Sequence, residues 1–367
     1  MNIQPSPEAT ADSIAELAAR VRSLSSKSRN RFDQIYRLQE SWTKIVIPES
    51  MHAMAESHFG SVEAVRNQFL LRVDNIITGE GSLFNQLRGK RPTHFVHDPM
   101  EIDAALTSDP WKDITEATPP EQHGRIENAT TITAANIAKY DEAHGILIAK
   151  DAHPLSFNLS SIEGYVDAGR RWIEATRESD PRSVYPFFLW NCLWRAGGSI
   201  IHGHAQMLLA QNRHYPQIEA VRSAAIGYAK RYGINYYDDL IKIHQDLGLS
   251  SQIETNQTLA YLTPKKEYGI MIVSPAFDKY LAKAIYHSLS RYRDVMGITS
   301  FNVGIACPPV AEVQEPWHGI PVVTSIVARG DLTSRVSDIG GMELFATPVI
   351  ASNPLFLASV LRGGVST

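Results

Sequence analysis

Apolar positions recur at helical spacing over residues 9 to 24, where Ile14, Leu17, Ala18 and Val21 share one side, and again over 28 to 42 with Phe32, Ile35, Tyr36 and Leu38. Recurrence at three and four residues marks an amphipathic helix. The N-terminal region therefore reads as helical, and the same spacing continues from about 51 to 76. Gly79, Gly81, Gly89, Pro92, Pro99, Pro110, Pro119 and Pro120 then punctuate 77 to 125, which reads as loop with short helices. Beyond that the texture changes to short β-rich runs separated by long helical stretches.

Those runs repeat. Gly145-Ile-Leu-Ile-Ala-Lys-Asp-Ala-His153 resembles Gly269-Ile-Met-Ile-Val-Ser-Pro-Ala-Phe277, each reading as a buried strand and a turn. A helix follows each: 159 to 178 with Ile162, Val166, Ala168 and Ile173, and 276 to 296 with Leu281, Ile285, Leu289 and Tyr292. Next come strands over 185–192 and 301–307, then strands over 199–209 and 320–328. Strand, helix, strand, strand thus occurs twice, at an offset of roughly 120 residues. A duplicated α+β unit sharing an extended antiparallel sheet explains the length of 367 better than two unrelated domains.

Composition narrows the class. Hydrophobic residues make up 44% and charged residues 20%, which is a folded chain. A net charge of −4 offers no excess cation to a nucleic-acid backbone, so nucleic acid is not an expected partner. Two cysteines, Cys192 and Cys307, rule out a disulfide framework or a four-thiolate zinc site and suit a reducing compartment. With Glu8, Asp12 and Glu16 near the start and no long apolar run, neither a signal peptide nor a membrane span is expected, and the cytoplasm is the expected location.

The chemistry concentrates in Gly197-Gly198-Ser199-Ile200-Ile201-His202-Gly203-His204-Ala205-Gln206-Met207-Leu208. On a strand, His202, His204 and Gln206 share one face while Ile201, Gly203, Ala205 and Met207 share the other. The two glycines and Ser199 would offer backbone N–H groups and a hydroxyl to an anion. A neutral imidazole attacks phosphorus and leaves as imidazolium, which permits transfer through a covalent nucleotidyl-histidine. Gln206 cannot titrate and would donate a hydrogen bond to a phosphoryl oxygen. Read from the residues alone, the His-x-His pair fits a metal site, an incidental polar face or catalysis equally well.

His-Gly-His-Ala-Gln-Met-Leu resembles the histidine-triad superfamily motif in its transferase form, where Gln takes the third position. It is similar to galactose-1-phosphate uridylyltransferases and dinucleoside polyphosphate phosphorylases: Asn191 lies eleven residues before His202 and Ser199 three before it. Thr118-Pro-Pro-Glu121, the strand around Asn136 and the run from Gly145 to His153 resemble the segments preceding the active strand, and Gly341-Met-Glu343-Leu resembles the uridylyltransferases' hexose-holding segment. The resemblance implies His204 as nucleophile, Gln206 and Ser199 holding the phosphoryl group, and His202 as a supporting residue. It also implies Asn191, Gly197 and Gly198 on the phosphate side, Asn136 at the nucleoside, Glu343 at sugar hydroxyls and His153 at a zinc ligand's position.

The departures are as informative. The family's Cys-x-x-Cys is missing, so zinc is doubtful and no metal is assigned, although His153, His202 and His94 or His97 are capable ligands. In the second repeat, Thr324, Ile326 and Ala328 are aligned with His202, His204 and Gln206, which leaves one active site per chain. Arg170-Arg171 and Lys265-Lys266 read as solvated charges, Trp190 and Trp194 as packing, and Cys192 and Cys307 as inert thiols. His318 beside Trp317 is a weak echo of a Trp-His-Gly segment.

The expected organisation is a mostly helical extension over 1–117, a catalytic histidine-triad-like unit over 118–215, and a degenerate unit over 216–367. The expected function is nucleotidyl transfer or phosphorolysis on an NDP-sugar or dinucleoside polyphosphate, with phosphate or a sugar phosphate as acceptor. A non-catalytic nucleotide-binding protein and a nucleotide hydrolase are the alternatives. The N-terminal helices are left two roles, covering the active site or building a homodimer.

Overall fold

The computed structural model describes residues 13–90, 102–334 and 336–363. His94 and His97 lie outside the described residues. Ser13 caps α1 (Ile14–Arg22) by accepting the N–H of Ala15, and the face carrying Ile14, Leu17, Ala18 and Val21 is buried as its spacing predicts. Ser25 caps α2 (Ser26–Ile35) in the same way. Helical expectation then fails at Tyr36. The chain continues as β1 (Tyr36–Lys44), paired antiparallel with β2 (Asn67–Asn75) from Tyr36 against Asn75 to Lys44 against Asn67. The three-and-four spacing continues through Leu38, but a ladder that satisfies both backbones overrides weak local propensity. Between them, α3 (His52–Phe59) and α4 (Val62–Arg66) keep the helical spacing only as far as Arg66. Beyond it, alternating Phe69, Leu71 and Val73 form a strand. β3 (Gly81–Phe84) extends this sheet, and α5 (Ile102–Leu106) and α6 (Ile114–Ala117) are the short helices of the Pro/Gly-rich stretch.

The duplication is then laid out in full. β4 (Thr131–Ala135), β5 (His144–Ala149), α7 (Leu159–Ser179), β6 (Ser183–Cys192) and β7 (His204–Gln211) form one half. After α8 (Pro216–Tyr232), α9 (Tyr236–Asp246) and β8 (Ser250–Ile253), the pattern returns as β9 (Asn256–Ala260), β10 (Ile270–Ser274), α10 (Lys279–Ser290), β11 (Phe301–Ala306) and β12 (Val322–Ala328). α11 (Met342–Phe345), β13 (Val349–Ile350), which lies parallel to β3, and α12 (Pro354–Arg362) close the described chain.

Among the described residues the large sheet has nine strands in the order β4-β5-β7-β6-β11-β12-β10-β9-β8. From either edge of the duplicated part inwards the order is the same, and the halves join where β6 meets β11, Cys192 against Phe301 and Phe187 against Ala306. α7 and α10 pack against each other on one face of the sheet. Gly145 permits this closeness, since a Cβ there would stand 2.5 Å from the indole of Trp172 on α7. The opposite face carries the chemistry.

The register corrects the alignment of the two halves. His204 stands opposite Ile148 and Gln206 opposite Ile146, as Val323 stands opposite Val273 and Ser325 opposite Met271. On the other side Gln206 faces Leu189 and Ser325 faces Gly304. The counterparts of His204 and Gln206 are therefore Val323 and Ser325, not Ile326 and Ala328. Thr324, Ile326 and Ala328 are buried on the helix-covered face, because a slip of one residue turns every side chain over. The second half still places no histidine at either position.

Candidate active site

The strand bearing the motif starts at His204, five residues later than the alternation suggests. The preceding residues form a 3₁₀ turn, Trp194–Ala196, entered through Leu193 at φ 68° and left through Gly197 at φ 88°. Within it the N–H of Gly197 donates to Trp194 O and that of Gly198 to Leu193 O, both at 3.0 Å. The expected use of these two N–H groups on an anion is thus corrected: they close the turn. Gly198 is needed for a different reason, as a Cβ would lie 2.8 Å from Asn191 O and 3.0 Å from Leu193 O. Ser199 leaves the turn exposed, with no hydrogen-bond partner among the described residues. From the second half, Asn302 donates to Ala196 O at 2.8 Å and to Asn191 Oδ1 at 2.7 Å, so the degenerate unit holds the loop of the intact one.

His204 is 9% exposed. Its Nδ1 donates to the carbonyl of His202 at 2.8 Å, which leaves the lone pair on Nε2, and Nε2 has no partner among the described residues. Burial pushes its pKa below the ordinary histidine value, so the ring is neutral at pH 7. The edge of Trp111 meets it, ring centroids 5.0 Å apart. Trp111 and Ile114 close this face of the sheet over Ile132, Ala134, Ile146 and Ile148.

Gln206 shares the face, and its Oε1 lies 2.7 Å from Nε2 of the fully buried His144. Asn136 Nδ2 lies 3.2 Å from the same nitrogen, while Asn136 Oδ1 accepts the N–H of Ala138. His144 thus ties Gln206 to the neighbouring strand, with Asn136 beside its ring.

His202 sits before the strand, with Nδ1 2.7 Å from Asp109 Oδ2 and Nε2 2.7 Å from Ala149 O. Both nitrogens face acceptors, so neither ring lone pair is free for a metal. His153 lies apart, its Nδ1 accepting the N–H of Leu155 and its Nε2 3.6 Å from Asp103. Among the described residues no three His, Cys, Asp or Glu side chains converge as a metal site. Among the described residues the donors that lie near His202 and His153 do not gather as a zinc site. Burial pushes the Cys307 thiol up to about 12 and that of Cys192 higher still.

Glu343 is not brought to the others. It pairs with Lys266 at 2.7 Å, accepts the N–H of Gly340, and lines a cleft that no other predicted site residue lines. Three residues of the site escaped the sequence reading. Asp109 and Trp111 sit in a stretch without periodicity, and His144 opens a strand whose visible signal was apolar.

No known family's sequence profile matches the chain, and no curated protein does. Solved structures do. An ADP-glucose phosphorylase from Arabidopsis thaliana with bound ADP-glucose superposes with a TM-score of 0.60 at 16% identity, covering 79% of this chain and 97% of that one. A GalT-like protein from Arabidopsis thaliana gives 0.55 at 17%, covering 69% and 90%. A uridylyltransferase gives 0.53 at 14%, covering 80% and 97%. The chain shares the fold of these three structures. No described helix is long and apolar enough to cross a membrane.

Proposed function

We propose that the protein transfers a nucleoside monophosphate group from an NDP-sugar or a dinucleoside polyphosphate through a covalent nucleotidyl-histidine on His204. The observation that carries this reading is the His204 tautomer. A carbonyl fixes the proton on Nδ1, burial keeps the ring neutral, and Nε2 is left as a nucleophile. Nε2 attacks the α-phosphorus, an N–P bond forms, and the P–O bond to the leaving sugar phosphate or nucleotide breaks with its electron pair on oxygen. The His202 carbonyl accepts from Nδ1–H throughout and steadies the charge that develops on the ring. The amide of Gln206 and the hydroxyl of Ser199 donate to the phosphoryl oxygens. An oxygen of phosphate or a sugar phosphate then attacks phosphorus, and the N–P bond breaks to restore His204. Asn136 is assigned to the nucleoside. Glu343, on its separate cleft and paired with Lys266, takes no part in this scheme.

The test is intact mass after incubation with NDP-sugars and dinucleoside polyphosphates. Wild type is expected to gain a nucleotidyl adduct and His204→Ala none. Absence of an adduct in wild type, with unchanged turnover in the variant, overturns the mechanism; binding without turnover across the panel points to a non-catalytic nucleotide-binding protein.

A further inference from the structure

The two halves of the chain meet next to His204. Asn191 on β6 and Asn302 on β11 stand opposite each other where these strands join the halves. On its other side β6 pairs with β7, the last pair being Leu189 against Gln206. Two residues further along each strand, Asn191 and His204 follow on the same face. The amide of Asn191 therefore neighbours His204, and the groups that orient it come from the degenerate half.

Asn302 can hold its neighbour in only one way. Arg329, just after β12, can only donate, and its Nη1 donates to Asn302 Oδ1 at 2.5 Å, so the Asn302 NH₂ is turned to the other side. That NH₂ donates to Asn191 Oδ1 at 2.7 Å and to Ala196 O at 2.8 Å, one bond for each hydrogen. With Oδ1 engaged, Asn191 keeps its own NH₂ for a group outside, and Nδ2 has no partner among the described residues. Arg329 is fixed in turn by Asp338, Nε to Oδ2 at 2.6 Å and Nη2 to Oδ1 at 2.9 Å. Burial by itself would raise the Asp338 carboxyl, but Arg329, with Lys266 and Arg195 of the turn, holds it below the ordinary value, so the pair is charged at pH 7. The same stretch anchors the turn a second time, since Trp194 Nε1 donates to Leu332 O at 3.1 Å.

We infer that Asn302 is a positioning residue, through which Arg329 and Asp338 of the degenerate half lock the Asn191 amide with its NH₂ turned to a phosphoryl oxygen held at His204. This rests on the reading that a phosphoryl group binds at His204. The second half, with Val323 and Ser325 where the first has His204 and Gln206, thereby takes part in the chemistry of the first.

The test is a double-mutant cycle with Asn191→Ala on the full chain, read as affinity for UDP and ADP by isothermal titration and as adduct formation by single-turnover mass spectrometry. Asn302→Asp still accepts from Arg329 but cannot donate, so it draws the Asn191 NH₂ to itself and turns the Asn191 oxygen to the phosphoryl group. It is expected to weaken nucleotide binding by about tenfold or more in wild type, and by about threefold at most in Asn191→Ala, where only its added charge is felt. Asn302→Leu, uncharged and similar in volume, frees the amide to turn either way and is expected to cost about threefold in wild type and nothing in Asn191→Ala. A residue that only props the turn through Ala196 O loses the same factor in both backgrounds, and that result with either variant overturns the inference. So does the absence of nucleotide binding to wild type. If the cycle holds in binding while wild type forms no adduct, the His204 mechanism fails and the positioning stands. If the adduct forms and the cycle shows no coupling, the positioning alone fails.

Discussion

His144 and Gln206 are joined in one direction only. Nδ1 of His144 accepts the N–H of Tyr140 at 3.0 Å, so in the neutral ring the proton is on Nε2, and Nε2 donates to Gln206 Oε1 at 2.7 Å. The Gln206 amide is thereby held with its oxygen towards His144 and its NH₂ free for a phosphoryl oxygen. Burial lowers the pKa of His144, which keeps the ring in the state that makes this possible.

His144→Phe removes the donor and lets the amide turn over. Formation of the His204 adduct is expected to slow by about 10- to 100-fold, less than the loss of a whole oxyanion donor, with nucleotide affinity changed less. His144→Gln restores part of the rate. Single-turnover mass spectrometry measures both.

Asp109→Ala leaves His202 Nδ1 without its acceptor in a place where both side chains are almost fully buried. Stability is expected to fall by on the order of 3 kcal/mol, with Asp109→Asn milder because the amide oxygen still accepts. Urea denaturation gives the difference. The loss also frees the segment that carries Trp111, so adduct formation slows beyond what the stability change explains.

Gly198→Ala places a methyl against Asn191 O and Leu193 O. The turn has to open, Ser199 moves, and adduct formation is expected to drop at least tenfold while the helical circular dichroism signal is unchanged.

Acid weakens the fold through buried histidines. His214 and His244 are held near 4, against an ordinary value of 6.5, mainly by burial. The unfolded chain binds these protons first, so their contribution is complete above pH 6.5 and is lost as the pH falls towards 4. For His244, which stacks on Tyr261 and leaves Nε2 unpartnered, the full effect is about 3 kcal/mol. The melting temperature is expected to fall steeply over that window, and less steeply in His244→Phe.

Legibility followed the range of the signal. Helix α1 and the strand-helix-strand-strand repeat could be read because a single buried face imposes its period on adjacent residues. β1 and β2 could not, since each is chosen by a partner some thirty residues away and much of β1 is solvated. The site divides in the same way. His204 and Gln206 announce themselves by spacing on one strand, whereas Asp109 reaches His202 across 93 residues and His144 reaches Gln206 across 62.

The sequence by itself determined the duplication, the strand that carries His204 and Gln206 and the loss of histidines from the second half, because these depend on local periodicity and residue type. Only the tertiary structure decided which face each strand turns outward, that the glycine N–H groups are spent in a turn, that His202 answers the carboxylate of Asp109, and that Glu343 stands apart. Those are outcomes of register and of contacts between distant segments. A one-residue slip or a single long-range hydrogen bond changes them without leaving a mark on any local pattern.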